Sequence, residues 1–228
     1  YSLKELSQVK QEKEVDKNYK YSNEFQNQTI FHLIDKLKDK KTAQELFSNS
    51  DGFDSFLPEY LICEDQSNEI GDFIGFSEKQ RKIVVIHAKM GTKKSNSTNS
   101  AVSFENVGDQ VVKNLRSFDP YTFTTKDFHK NWDQYWQSNK NPKVKRIRRN
   151  KDNLSGEQIQ IKLIALLKKD VTKEVWIMYG KGFKTNELFQ ELNKENPIFN
   201  IKHLAFSLAN YNEAVTRFGA KLKIFAQP

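Results

Sequence analysis

Three residues in the stretch EIGDFIGFSEKQRKIVVIHAKMG, residues 69–91, have the types and spacing for chemistry: Asp72, His87 and Lys89. A carboxylate is a hard ligand for a divalent cation, a neutral imidazole is a base or a nitrogen donor, and an ammonium orients a phosphate or a water. All three interrupt apolar runs, and ionisable groups withdrawn from water without a partner are costly. EIGDFIGF and KIVVIHAKM read as adjacent strands of a hairpin that turns within SEKQRK. Pairing centred between Lys79 and Gln80 sets residue i opposite residue 159 − i, which puts Asp72 across from His87. Strand alternation gives Lys89 the face of His87, and cross-strand neighbours lie about 5 Å apart, so the three converge on one patch. In this register Ile70, Ile74 and Phe76 share the face of Asp72, while Val84, Ile86, Ala88 and Met90 line the opposite face. A salt bridge would compensate the buried charges in part. A divalent metal held by the carboxylate, with the lysine steering a water or a phosphate, accounts for the arrangement better.

The elements that must position this patch are legible in outline. Ile30, Phe31, Ile34 and Leu37 fall at helical spacing, and Ala43, Leu46 and Phe47 mark a second short helix. EYLICED, residues 59–65, precedes the hairpin as the first strand of a meander. Val107, Val111, Leu115 and Phe118 define an amphipathic helix over 104–118, closed by Pro120. Trp132 and Trp136, four apart, would share a helical face. Ser155 and Gln158 form a capping box before an apolar helix, and EVWIMYG, residues 174–180, reads as a strand buried on both faces of a parallel sheet. A helix starts at Thr185. Leu204, Leu208, Tyr211, Val215 and Phe218 then keep helical period up to a cap at Gly219, although IKHLAFSL alone also fits a strand. KLKIFAQ is the last strand. This order predicts an α/β fold, a mixed sheet flanked by helices. Residues 1–25 are charged and thin in apolar spacing, and read as an arm or linker from a preceding domain. Residues 26–228 form the domain proper, with a basic insertion around 121–155.

A chain of 228 residues suffices for one large domain. No run approaches the roughly 18 consecutive apolar residues of a membrane span, so a soluble protein with no membrane partner is expected. A single cysteine, Cys63, excludes an internal disulfide framework and a thiolate metal cluster, in keeping with a cytoplasmic setting. Cys63 itself reads as a small buried apolar residue. The 37 Lys and Arg against 29 Asp and Glu give a formal charge of +8, compatible with a polyanionic partner. NKNPKVKRIRRNKDN, residues 139–153, concentrates the excess, and Lys143, Lys145, Arg146, Arg148 and Arg149 would contact phosphates unless the segment is a solvated loop. Gln110, Lys113, Asn114 and Ser117 form the polar side of the 104–118 helix. His32, His129 and His203 show no metal-cluster spacing, and GKGFKT lacks the spacing of a nucleotide phosphate loop.

An acid on one strand, a hairpin turn and a residue–x–Lys triplet ending the next strand resembles the core of the restriction-endonuclease-like, or PD-(D/E)xK, nuclease superfamily. ICEDQSNEIGDFIGF and IVVIHAKMG also resemble nuclease domains attached to bacterial helicase-like and restriction or phage-defence proteins. The resemblance implies a helix, three-strand meander, helix and strand core over residues 29–118 plus a later strand such as EVWIMYG. It implies a metal-dependent phosphodiesterase acting on DNA, with RNA as the other substrate to test, in a larger multidomain protein that can form homo-oligomers. Asp72 would be the metal-binding aspartate, and His87 would stand where the family usually has Glu or Asp, as a ligand or a water-positioning group. Lys89 would orient the water and stabilise charge on the phosphate, and the Ala88 carbonyl would be a further metal ligand. The implied cofactor is Mg2+ or Mn2+, the latter favoured where an imidazole replaces a carboxylate. Glu69 points away by strand alternation and joins the catalytic set only if a bulge turns it in. The glutamate that the superfamily adds from the preceding helix would be Glu24 or Glu45. The helix after the hairpin contacts nucleic acid in related nucleases, which makes Gln110 and Lys113 candidates for that role. Two other classes fit the same residues: a non-catalytic nucleic-acid-binding module retaining the fold, and a protein-interaction domain in which Asp72, His87 and Lys89 form a structural network.

Overall fold

The computed structural model describes residues 1–13, 23–48, 56–65, 70–91, 101–124, 127–138, 141–182 and 184–228. Two short helices come first, α1 (Ile30–Asp35) and α2 (Lys40–Phe47). Each begins at a side chain that accepts from backbone N–H groups of its first turn: Thr29 from His32, and Asp39 from Lys41 and Thr42. The meander follows as β1 (Tyr60–Cys63), β2 (Phe73–Ser77) and β3 (Lys82–Met90). β2 and β3 pair from Phe73 opposite Ile86 to Ser77 opposite Lys82, the register expected from the turn. After α3 (Ala101–Asn114) come two short helices, α4 (Pro120–Thr124) and α5 (His129–Trp132). A small two-stranded sheet, β4 (Tyr135–Ser138) with β5 (Asn141–Lys145), then leads into β6 (Ile147–Asn150). Helix α6 (Gly156–Leu167) starts at the Ser155–Gln158 capping box, with both of its reciprocal hydrogen bonds made. β7 (Thr172–Gly180), α7 (Thr185–Leu192), α8 (Phe199–Arg217) and β8 (Ala220–Phe225) complete the chain, so IKHLAFSL belongs to a helix.

The main sheet has six strands in the order β6–β1–β2–β3–β7–β8. It is antiparallel from β6 to β3 and parallel from β3 through β7 to β8. β7 lies between two parallel neighbours, and the run from Val175 to Gly180 is buried, as its unbroken apolar character requires. Alternation sorts the sheet into two cores. Ile74, Phe76, Ile83, Val85 and Ile177 pack with Phe104, Val107 and Val111 of α3 and Leu204 of α8. Phe73, Val84, Ile86, Trp176 and Met178 pack with Phe31 and Ile34 of α1 and Phe47 of α2.

Two expectations are corrected here. Residues 1–13 and 23–25 pack onto the domain rather than standing apart as an arm, because Leu3, Leu6, Val9 and Phe25 are buried in the second core. A spacing of three suits the 3-10 turn formed by Lys4–Gln8, where side chains three apart fall in line, and surrounding charges hide it from a search at helical or strand period. Leu3 N–H donates to Ala226 O at 2.8 Å and Ala226 N–H to Tyr1 O at 3.0 Å, which fastens this segment beside the last strand. Trp132 and Trp136 do not share a helical face either. The helix ends at Trp132, Trp136 belongs to β4, and the two rings enter different cores. Among the described residues no helix is long and apolar enough to cross a membrane.

Candidate active site

The chain reaches the start of β2 through Gly71, where an added Cβ would lie 2.6 Å from Val85 Cγ1 and 3.0 Å from Ile86 O. Only a glycine lets the backbone lie this close to β3 just before Asp72. Asp72 N–H then donates to Ile86 O at 2.9 Å, while its own carbonyl turns the other way and accepts from Glu64 N at 2.8 Å. In a regular strand both groups would point to the same neighbour, so the ladder breaks at Asp72. Its carboxylate is offset past His87 and accepts from Ala88 N–H at Oδ2, 2.7 Å away. His87 shares the face of Ile83 and Val85 and is 3 % exposed, and Lys89 follows on the same face. Asp72, His87, Ala88 and Lys89 border one cavity of about 200 Å³, together with Gln110 and Asn114 of α3.

Three further residues line this cavity that hairpin reasoning missed: Glu12, Lys13 and Asp65. Lys13 Nζ lies 2.7 Å from Asp65 Oδ1, 3.7 Å from Glu12 Oε1 and 3.9 Å from Asp72 Oδ1. Glu12 Oε2 accepts from Met90 N–H at 3.2 Å. Asp65 is fixed from behind: Trp136 Nε1 donates to its Oδ2 at 2.7 Å, and Arg146 Nη1 donates to its backbone carbonyl at 2.6 Å and to that of Cys63 at 3.1 Å. Asp65 had a sequence signal, since it closes the EYLICED run and lies just past the strand that pairs beside the Asp72 strand. Glu12 and Lys13 had none.

Burial pushes the Asp72 carboxyl up to about 7; Lys13 and the Ala88 N–H oppose the rise, while Asp65 and Glu12 add to it. Burial brings the His87 imidazole down to about 4, so at neutral pH it is uncharged and keeps an acceptor nitrogen. Burial also works against the Lys13 ammonium, but Asp65 and Asp72 outweigh it and hold this lysine well above its ordinary range.

Several expected site residues lie elsewhere. Arg146 is buried beneath Asp65, Arg148 places Nε and Nη2 on the two oxygens of Asp35 at 2.6 and 2.8 Å, and Arg149 donates to Lys38 O at 2.9 Å. These guanidiniums are taken up by the fold because Arg146, just before β6, faces the end of β1, while β6 carries Arg148 and Arg149 against Asp35 of α1 and the turn that follows it. Lys145 and Lys113 are exposed, and the side chain of Lys143 lies outside the described residues, as does Glu69. Glu24 pairs with Lys38 and Arg148, and Glu45 is exposed on α2, so among the described residues the glutamate that reaches the cavity is Glu12. Among the described residues no three His, Cys, Asp or Glu side chains are grouped to hold a metal ion by themselves. No protein-family model, no curated protein and no solved structure matches the chain.

Proposed function

We propose that this chain is a metal-dependent phosphodiesterase of restriction-endonuclease-like architecture that cleaves DNA, as the effector domain of a larger protein. The observation that carries the reading is the convergence of Asp72, His87 and Lys89 with a second carboxylate, Asp65, on one cavity at the C-terminal end of β3. Magnesium is commonly bound through one or two carboxylates while keeping several waters. Asp65 and Asp72 supply two carboxylates already associated with a cation, that of Lys13, so the donor set fits a hard ion that brings waters of its own. Asp72 and Asp65 would hold it, with the His87 imidazole as a neutral donor. The Ala88 carbonyl fits as a further ligand, since strand geometry aims it at the same edge as the Ala88 N–H that meets Asp72. When bound, the ion polarises the phosphate and acidifies its water.

The chain's own groups supply the rest. Lys89 brings a positive charge to the mouth of the cavity, placed to bind a non-bridging phosphate oxygen as negative charge builds on it. Uncharged His87 has one acceptor nitrogen, and the role of ligand takes it up. Ala88 N–H fixes the Asp72 rotamer, and Gln110 and Asn114 offer neutral hydrogen bonds to the sugar–phosphate backbone.

The test is cleavage of plasmid, linear and single-stranded DNA and of RNA with Mg2+ or Mn2+, beside Lys89→Ala and Asp72→Ala. The expected result is cleavage by the wild type alone, and no cleavage of any substrate would sink the enzyme reading. One observation favours a second reading, a module that binds nucleic acid without cutting it: an imidazole stands where the family has a carboxylate, and a lysine already bridges the acids. That reading expects wild-type binding that survives Lys89→Ala, with no product.

A further inference from the structure

We infer that Lys13 is the resident cation of this site, a positioning residue whose ammonium holds Asp65 and Asp72 ready and gives way to a divalent ion. The inference rests on the metal-dependent reading above and concerns how that site takes up its ion.

The contacts divide the two acids in the same way. Asp65 Oδ2 is occupied by Trp136 Nε1 and Asp72 Oδ2 by Ala88 N–H, both at 2.7 Å and both from groups fixed in the fold. The Oδ1 atom of each acid is the one turned to Lys13, at 2.7 and 3.9 Å. Withdrawal of one ammonium therefore opens one oxygen on each of two carboxylates, the pair a hard ion bound through two acids requires.

Burial shows which partner can leave. The Asp65 side chain is 1 % exposed and that of Asp72 is 17 %, whereas Lys13 is 31 % exposed. The backbone beside Lys13 is pinned, since Ile30 N–H donates to Gln11 O at 3.2 Å and Phe31 N–H to Glu12 O at 3.1 Å. The lysine can swing on its own flexible stem, whose ammonium lies 5.4 Å from the centre of the Phe31 ring. An ammonium and a divalent ion cannot both sit between these two oxygens, because like charges at contact distance repel strongly where water is scarce. Lys13 is therefore a competitor of the metal that keeps the acids apart from each other's charge until the metal arrives.

Calorimetric titration with Mn2+ tests this on wild type, Lys13→Gln, Lys13→Arg and Asp72→Asn, with differential labelling of lysines by acetic anhydride on the wild type. Lys13→Gln should bind Mn2+ at least tenfold more tightly than wild type, Lys13→Arg should bind like wild type, and Asp72→Asn should lose binding. In wild type, saturating Mn2+ should raise the labelling of Lys13 severalfold over its level in EDTA, a readout independent of whether the glutamine variant folds. Equal or weaker binding by a folded Lys13→Gln, or Lys13 labelling unchanged by Mn2+, overturns the inference and leaves the metal site standing. Absence of Mn2+ binding to wild type overturns both, whereas binding without cleavage overturns the nuclease reading alone.

Discussion

Asp35 and Asp72 are both withdrawn from water beside a cation, yet their carboxyls move in opposite directions. Asp35, with a side chain 2 % exposed, receives Arg148 on both oxygens and Lys38 at 2.7 Å. Burial pushes Asp35 up, but these two cations outweigh it and hold the carboxyl below the ordinary range. Asp72 has its nearest cation 3.9 Å away and shares it with Asp65 and Glu12, so burial prevails and the carboxyl rises to about 7. The first cluster has more than one cation for its buried acid and ties α1 to β6. The second has one ammonium among three acids and opens on a cavity. A saturated ion cluster serves the fold, and an undersupplied one beside a cavity is a place where a cation of higher charge can replace the resident one.

The largest expected effect breaks the saturated cluster. Arg148→Ala leaves Asp35 buried with one cation fewer and should cost about 3–5 kcal/mol in urea denaturation. A loss below about 1 kcal/mol would show that the two clusters are not different in kind. Next, Lys89→Ala should lower the cleavage rate by about 10²–10³-fold, with little change in the unfolding midpoint. Trp136→Phe keeps most of a ring that is 1 % exposed but withdraws the N–H from Asp65, and should cost about 1–3 kcal/mol of stability.

The smallest effect is a slope. The Asp72 carboxyl rises from an ordinary 3.8 to about 7, so between those values the folded chain binds more protons and its stability falls as pH rises. His87 falls from 6.5 to about 4, so across that window the unfolded chain binds more protons and stability rises with pH. The two contributions oppose each other in the wild type. Relative to wild type, Asp72→Asn should therefore make the melting temperature climb more steeply between about pH 4 and 7, and His87→Asn should make it climb less steeply, or fall, between about pH 4 and 6.5. A change of slope of the same sign in both variants would contradict the burial of one of the two groups.

What was legible in the sequence was local. The hairpin register followed from a short turn between two alternating runs, the start of α6 from Ser155 and Gln158, and the parallel character of β7 from its unbroken apolar run. What was not legible depends on distant partners. Asp65 meets Lys13 across 52 positions, and Glu12 reaches Met90 N–H across 78. Arg148 looks like a phosphate contact until Asp35, 113 positions away, arrives as its acceptor. Trp132 and Trp136 illustrate the same limit at short range, since a spacing of four fits one turn of helix as well as a helix end running into a strand.

All three tryptophans of the chain donate their indole N–H to a buried acid: Trp132 to Glu64, Trp136 to Asp65, and Trp176 to Glu174. The protein thus carries built-in optical reporters, each with its emitting ring hydrogen-bonded to a carboxylate. Trp136 alone reads the cavity, through the same Asp65 whose other oxygen faces Lys13. A cation exchanged at that oxygen alters the field along the Trp136 ring, so intrinsic fluorescence in Trp132→Phe, Trp176→Phe protein follows events at the site without any added label.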